Sequence, residues 1–226
     1  MIKGLVSVVI PTYNGEKWIG ECLQSISAQK VPHEVIVVDD LSADGTVEIA
    51  EKAGVRVIVN AVHKGQVAGK NTGIRAMRGE YFLTIDQDDR LKPDALQTLL
   101  EELDRSNAQI VMAKLEDFWD TLEDQAFCHK EAFRGILTGA AIFRKEVFDV
   151  IGLFDESVIT GDVIDLAGRC SKNGVSIFQS DRVTCERRIH SGNYGRTNRK
   201  NEYKDYAKLL KKQFLERTGI ECSKKN

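Results

Sequence analysis

Asp86-Gln87-Asp88-Asp89 places three carboxylates in four residues, directly after the apolar run Tyr81–Ile85. Carboxylates so close repel one another unless a cation or a hydrogen-bond network compensates. A hard divalent ion such as Mg2+ or Mn2+, shared with substrate phosphates, is one compensation. A solvated turn whose acids favour the N-terminus of the next helix is the other. A second acidic tip, Asp39-Asp40, closes the run Glu34–Val38 and leads into Leu41-Ser42-Ala43-Asp44-Gly45-Thr46. There Ser42 or Asp44 can cap a helix while Gly45 relaxes the turn. His190, in Arg187-Arg188-Ile189-His190-Ser191-Gly192-Asn193, is either a ligand or an ordinary polar residue, and Asp162 and Asp165 are either general bases or solvated acids. Gly65-Gln66-Val67-Ala68-Gly69-Lys70 is too short between its glycines for a phosphate loop, and Asn71 stands where a Ser or Thr would hold Mg2+.

The elements that must position these groups alternate through the first half of the chain. Leu5–Ile10, Glu34–Val38, Val55–Val59 and Tyr81–Ile85 read as buried parallel strands. Between them, Glu16–Gln29, Gly45–Ala53 and Gln66–Arg78 have helical spacing, and Pro93 opens a further helix over Ala95–Leu103. Gly69 and Gly73 each cost the third helix up to about 1 kcal/mol against Ala. This order predicts a doubly wound α/β sheet, which binds ligands outside the carboxyl ends of its strands. Pro11-Thr12-Tyr13-Asn14, Asp39-Asp40 and Asp86 to Asp89 all stand at such ends. The second half is less regular. Strands are expected at Gln109–Leu115, Gly139–Phe143 and Val175–Gln179, and helices at Lys145–Ile151 and Glu202–Arg217, while Asp117–Phe133 follows no period.

The chain has 226 residues with 32 Lys+Arg against 34 Asp+Glu, a near-neutral balance that argues against a nucleic-acid partner. No apolar run approaches the roughly 18 residues that would cross a bilayer. The opening Met1–Pro11 reads as a first strand and not a signal peptide. Five scattered cysteines without a C-x-x-C pair favour reduced thiols in the cytosol over disulfides or a zinc site.

Val6-Ser7-Val8-Val9-Ile10-Pro11-Thr12-Tyr13-Asn14 resembles the opening of the family 2 glycosyltransferases, inverting enzymes with the GT-A fold. The resemblance continues through Glu34 to Asp40 with Ser42 and Asp44-Gly45-Thr46, then Gly69-Lys70-Asn71-Thr72-Gly73-Ile74, then Gly79-Glu80-Tyr81-Phe82 and Ile85 to Asp89. Fainter matches are Thr138-Gly139-Ala140-Ala141, Gly152-Leu153-Phe154-Asp155-Glu156 and the segment ending at His190. The resemblance implies one GT-A domain over 1–200, a mixed, Rossmann-like sheet with a nucleotide-sugar half over 1–105 and a less regular acceptor half over 106–200. A basic amphipathic helix and tail would follow over 201–226.

It also implies roles. Pro11, Tyr13 and Asp40, with Asp39 beside it, would hold the base and ribose of a nucleotide sugar, commonly a UDP-sugar. Asp86 would lie near the ribose, and Asp88 would bind Mn2+ or Mg2+, with His190 as a further metal ligand. Lys70 stands where relatives carry Arg; it can meet a phosphate as a point charge but lacks the planar fork. Relatives place the catalytic base in a Glu-Asp pair ahead of an Arg. Reading back from Arg169 puts Val163 at that position, and a shift of one puts Asp162 there with Gly161 before it. Asp162 is the expected base because an inverting transfer needs a carboxylate, with Asp165 in reserve.

The expected reaction is displacement at the anomeric carbon by a hydroxyl of a saccharide or lipid-linked acceptor, as in polysaccharide assembly. Phe118, Trp119 and Phe127 would either stack on the acceptor or pack in the core. The basic C-terminal helix would lie on the domain, on a second copy of the chain, or on the inner face of a membrane. A nucleotidyltransferase would show a Gly-rich loop in place of Pro11-Thr12-Tyr13-Asn14. A haloacid-dehalogenase phosphatase would want Asp at Ser42. An inactive nucleotide-sugar-binding module is the alternative from another class.

Overall fold

The computed structural model describes residues 1–134, 139–158, 161–197, 206, 207 and 209. The expected helix over Glu202–Arg217 lies largely outside the described residues, as does Thr138. In chain order the elements are β1 (Ile2–Thr12), α1 (Ile19–Ser27), β2 (His33–Asp39), α2 (Thr46–Lys52), β3 (Arg56–Val59), α3 (Gln66–Ala76), β4 (Gly79–Thr84), β5 (Arg90–Leu91) and α4 (Ala95–Ser106). There follow β6 (Ile110–Trp119), α5 (Leu122–Gln125), β7 (Ala141–Arg144), α6 (Val147–Ile151), α7 (Asp162–Lys172), β8 (Ile177–Ile189) and α8 (Tyr194–Thr197).

The strands form one mixed sheet in the order β3-β2-β1-β4-β7-β6-β8-β5. β1 pairs in parallel with both β2 and β4, so the chain runs outward to β3 and then crosses back over β1 through α3. The carboxyl ends of β1, β2 and β4 therefore meet at a point where the winding reverses, the usual place for a ligand crevice in such sheets. β7 is antiparallel to both its neighbours and joins this half to β6 and β8, which are parallel to each other.

Both faces of β1 are buried, which is why its residues read as a continuous Val/Ile run. Val6, Val8 and Ile10 join one core with Ile19, Leu23 and Ile26 of α1 and Leu96, Leu99 and Leu103 of α4. Val9 joins the opposite core with Val67 and Ile74 of α3, Phe82 and Phe148. The α3 glycines now have a reason. A Cβ on Gly69 would lie 2.9 Å from Pro11 Cβ, and one on Gly73 would lie 2.2 Å from Val9 Cγ1. The helix gives up propensity to lie directly on β1.

The second half differs from its expected outline, and α5, α7 and α8 are not among the helices expected there. β6 runs through to Trp119, and β8 extends as far as Ile189, because Asp117, Phe118 and Trp119 pair with Arg187, Arg188 and Ile189. The short β5 pairs with β8 through Arg90 and Leu91. These partners are far apart in the chain, and no local period announces them.

Candidate active site

At the switch point lies a cleft of about 740 Å3. Its walls include Pro11, Tyr13 and Trp18 from the exit of β1, Asp40 from the tip of β2, Asp86 to Asp88, and His190 and Asn193 after β8. Sequence-expected residues from four separated segments are thus brought together. Asp39 is not among them: it is buried beside the cleft, where its Oδ2 accepts the Ser42 N–H at 2.9 Å.

Asp86 to Asp89 form a turn closed by the Asp89 N–H donating to the Asp86 carbonyl at 3.1 Å. Gln87 pins this turn to β1. Its Oε1 accepts from the Thr12 hydroxyl and from the Tyr13 N–H at 3.0 Å, and its Nε2 donates to the Tyr13 carbonyl at 3.2 Å. Asp88 meets His190, whose Nε2 lies 2.9 Å from Asp88 Oδ2. The imidazole Nδ1 accepts the Gly192 N–H at 3.1 Å, so the ring proton sits on Nε2 and is donated to Asp88. Asn193 Nδ2 donates to the same carboxylate oxygen at 3.2 Å, and Trp18 lies against the imidazole with ring centroids 4.2 Å apart. Asp89 is buried behind this pair and accepts the Arg188 N–H at 2.9 Å. Burial first, and then the charges of Asp88 and Asp86, push its carboxyl well above the usual carboxylate range.

The donor set fits an open divalent site. Among the described residues, no three His, Cys, Asp or Glu side chains close into a metal cage. A carboxylate and an imidazole side by side offer a hard and a borderline ligand, and substrate phosphates commonly complete such a site. Ligation through Nε2 would move the ring proton to Nδ1 and release the bond from Gly192.

Asp40 works differently. Its carboxylate accepts from Asn60 Nδ2 at 2.8 Å, from the Lys64 N–H at 2.9 Å and from the Gly65 N–H at 2.7 Å, with His63 Nδ1 3.0 Å away. Burial opposes its ionisation, but these donors outweigh that and hold the carboxyl below its ordinary range. Gly65, at φ +84°, presents its N–H there as the residue before α3. The exposed Tyr13 ring packs 4.7 Å from His63 and forms the outer wall. Trp18, Gln87, His63 and Asn193 are cleft residues that the sequence reading missed. Trp18 falls inside the helix expected over Glu16–Gln29 and reads there as one more apolar residue, though it precedes α1, and the only signal for Gln87 was its place inside the acidic run.

Lys70 and Asp162 are brought together elsewhere. Lys70 Nζ lies 2.9 Å from Asp162 Oδ2, and the two residues are 1% and 2% exposed. Neither lines the cleft. The Lys70 ammonium also sits 5.8 Å from the Phe154 ring centroid. The neighbouring Asn71 donates to the Phe154 carbonyl at 2.9 Å and accepts its N–H at 3.0 Å. Together they latch α3 to the segment that leads into α7. Asp165 pairs with Arg169 at 2.8 Å within α7.

The family model for glycosyl transferase family 2 matches residues 7–125, more than half of the chain. The chain belongs to glycosyltransferase family 2. That match contains every first-half segment of the cleft, from Pro11 to Asp88. Among curated family members, the glycosyltransferase GlyG of Streptococcus pneumoniae serotype 4 is 32% identical over 140 residues, which is 56% of this chain and 46% of that protein. The chain spans 46% of GlyG and 33% each of EpsJ of Bacillus subtilis and ExoO of Rhizobium meliloti, so it matches only part of the length of these curated relatives. In fold it resembles the crystal structure of Staphylococcus aureus TarS in complex with UDP-GlcNAc, with a TM-score of 0.74 and 21% identity. That match covers 93% of this chain and 66% of the other. The mannosyltransferase PcManGT of Pyrobaculum calidifontis, in complex with GDP-Man and Mn2+, matches with a TM-score of 0.72 and 21% identity over 92% of this chain and 64% of its own. At these identities the likeness is one of fold, and the mixed sheet is of the GT-A type.

Proposed function

We propose that this domain transfers a sugar, with inversion, from a nucleotide-diphosphate sugar, UDP-linked in the first instance, to a hydroxyl of a saccharide, free or carried on a lipid at the inner face of a membrane. The observation that carries the reading is the convergence of Asp88 and His190 at 2.9 Å inside a cleft of nucleotide size at the switch point of the sheet. TarS and PcManGT, which share the fold, have been solved in complex with UDP-GlcNAc and with GDP-Man and Mn2+.

In this reading Pro11, Tyr13 and Asp40, with Asp39 beside it, hold the base and ribose, while the Asp40 carboxylate also fixes the loop from Asn60 to Gly65. Asp86 lies toward the ribose, and Asp88 and His190 would hold Mn2+ or Mg2+. The ion would supply Lewis-acid neutralisation of the departing diphosphate. Asp162 would take the proton of the attacking hydroxyl, which requires an approach within about 3.2 Å. Lys70 would offer its ammonium to the diphosphate as a point charge. Both of these roles require the 2.9 Å Lys70–Asp162 pair to open when substrate arrives.

Calorimetric titration with UDP, GDP, dTDP and CDP, each with and without Mn2+, tests the donor site. The expected result is metal-dependent binding of one nucleotide, and no binding by a folded sample would sink the reading. One observation favours a second reading, a nucleotide-sugar-binding module without turnover: the expected base is buried against Lys70. Hydrolysis or transfer of the donor by the protein would exclude that module.

A further inference from the structure

Beside the cleft, on the far side of Arg188, lies a second depression of about 480 Å3, lined by Glu21, Arg90, Phe118, Trp119, Asp120 and Arg188. Its aromatic residues are not equivalent. The Phe118 ring already carries two guanidinium groups, with Arg90 Cζ 3.8 Å and Arg188 Cζ 4.4 Å from its centroid. Trp119 is 40% exposed and stacks on no other ring among the described residues. The floor is charged but balanced. Arg188 donates to both Glu21 and Asp120, and Arg90 pairs with Glu21.

An exposed indole beside fixed carboxylates and guanidinium groups matches the chemistry of a neutral pyranose. The sugar's C–H face is apolar and covers an aromatic ring, while each hydroxyl can donate to a carboxylate and accept from an arginine. Two acids offset by two arginines leave no net field to favour an anionic ligand. Arg188 also places the depression against the reaction centre. Its Nη groups end on Glu21 and Asp120, and its Nε donates to the backbone carbonyl of Asp88 at 3.0 Å. A sugar on Trp119 would lie one arginine side chain away from the Asp88–His190 pair.

We infer that this depression is the acceptor subsite, holding a neutral pyranose unit of a saccharide chain on Trp119, with Glu21, Asp120, Arg90 and Arg188 as its polar rim. The inference rests on the glycosyltransferase reading for its role as acceptor site, though not for its chemistry as a saccharide site. The test is retention of the labelled protein on an array of neutral and anionic glycans, run beside calorimetry with nucleotide and Mn2+ on the same samples. Wild type should retain neutral glycans, Trp119→Ala should bind them at least tenfold more weakly, and Trp119→Phe should recover part of the loss. Nucleotide affinity should stay within about twofold in both variants. Retention of no neutral glycan, or equal retention by Trp119→Ala, with nucleotide binding intact, would overturn the subsite and leave the donor reading standing. Trp119-dependent retention without nucleotide binding would keep the saccharide site and remove the transferase reading. Loss of both in a folded wild type would overturn both.

Discussion

Asp88–His190 and Lys70–Asp162 are built to the same length, 2.9 Å, from residues 102 and 92 positions apart in the chain. The first lines the cleft, its side chains 10% and 16% exposed, in a mesh of neutral donors from Gly192 and Asn193. The second is sealed between α3 and the start of α7, against Phe154. There each partner keeps an edge on the cleft and neutral donors beside it, so removing one leaves the other with alternatives. In the interior each charge has lost its hydration, and removing one partner leaves the other without compensation. Equal geometry thus has different surroundings: one pair faces the cleft, and the other joins two elements in the interior.

The largest expected effect breaks the sealed pair. Lys70→Met should lower stability by about 3–5 kcal/mol in urea unfolding, with the double variant Lys70→Met/Asp162→Leu recovering most of the loss. A loss below about 1 kcal/mol would show that the pair is hydrated and that the contrast fails. Asp88→Ala should do the reverse. Metal-dependent nucleotide affinity should fall at least about a hundredfold, some 2.7 kcal/mol, while the urea midpoint barely moves. A protein that binds nucleotide and Mn2+ normally without Asp88 would remove that residue from the site.

Gly73→Ala probes the support of the sealed pair. Its Cβ would meet Val9 and push α3, the helix carrying Lys70, off β1. The expected cost is about 1–3 kcal/mol, with nucleotide binding retained once the variant is folded. The smallest effect concerns acid. The folded carboxyl of Asp40 titrates below its unfolded value near 3.9. Its contribution is therefore complete above that value and is lost as pH falls through the lowered folded one. Asp40→Asn should flatten this acid limb of the stability curve, and an unchanged limb would place the acid sensitivity elsewhere.

The strand tips were legible because buried parallel strands must be apolar, so the first polar residues after each run mark its carboxyl end. That is how Pro11 to Asn14, Asp39-Asp40 and Asp86 to Asp89 could be assigned to one edge before any coordinates. Boundaries moved by a few residues, as at α1 and α4, without disturbing this edge. The continuation of β6 to Trp119 was hidden because Glu116 and Asp117 break the apolar run, and their pairing with β8 lies far along the chain. Gly69 and Gly73 argued against a helix locally, and only the approach to β1 explains them.

By itself, the order of apolar runs, helical stretches and acidic tips determined the class of fold and the edge that carries the cleft, and both follow from local physics, since side-chain periodicity and turn chemistry act over a few residues. The family was legible in another way, from the resemblance of ordered motifs between Val6 and Asp89. The tertiary structure decided which groups face one another. It placed His190 on Asp88, closed Asp40 over the loop from Asn60 to Gly65, and turned Lys70 and Asp162 toward each other. It also covered Phe118 with arginines while leaving Trp119 open. Those choices depend on burial and on charge pairing across roughly a hundred residues, which no window of sequence contains.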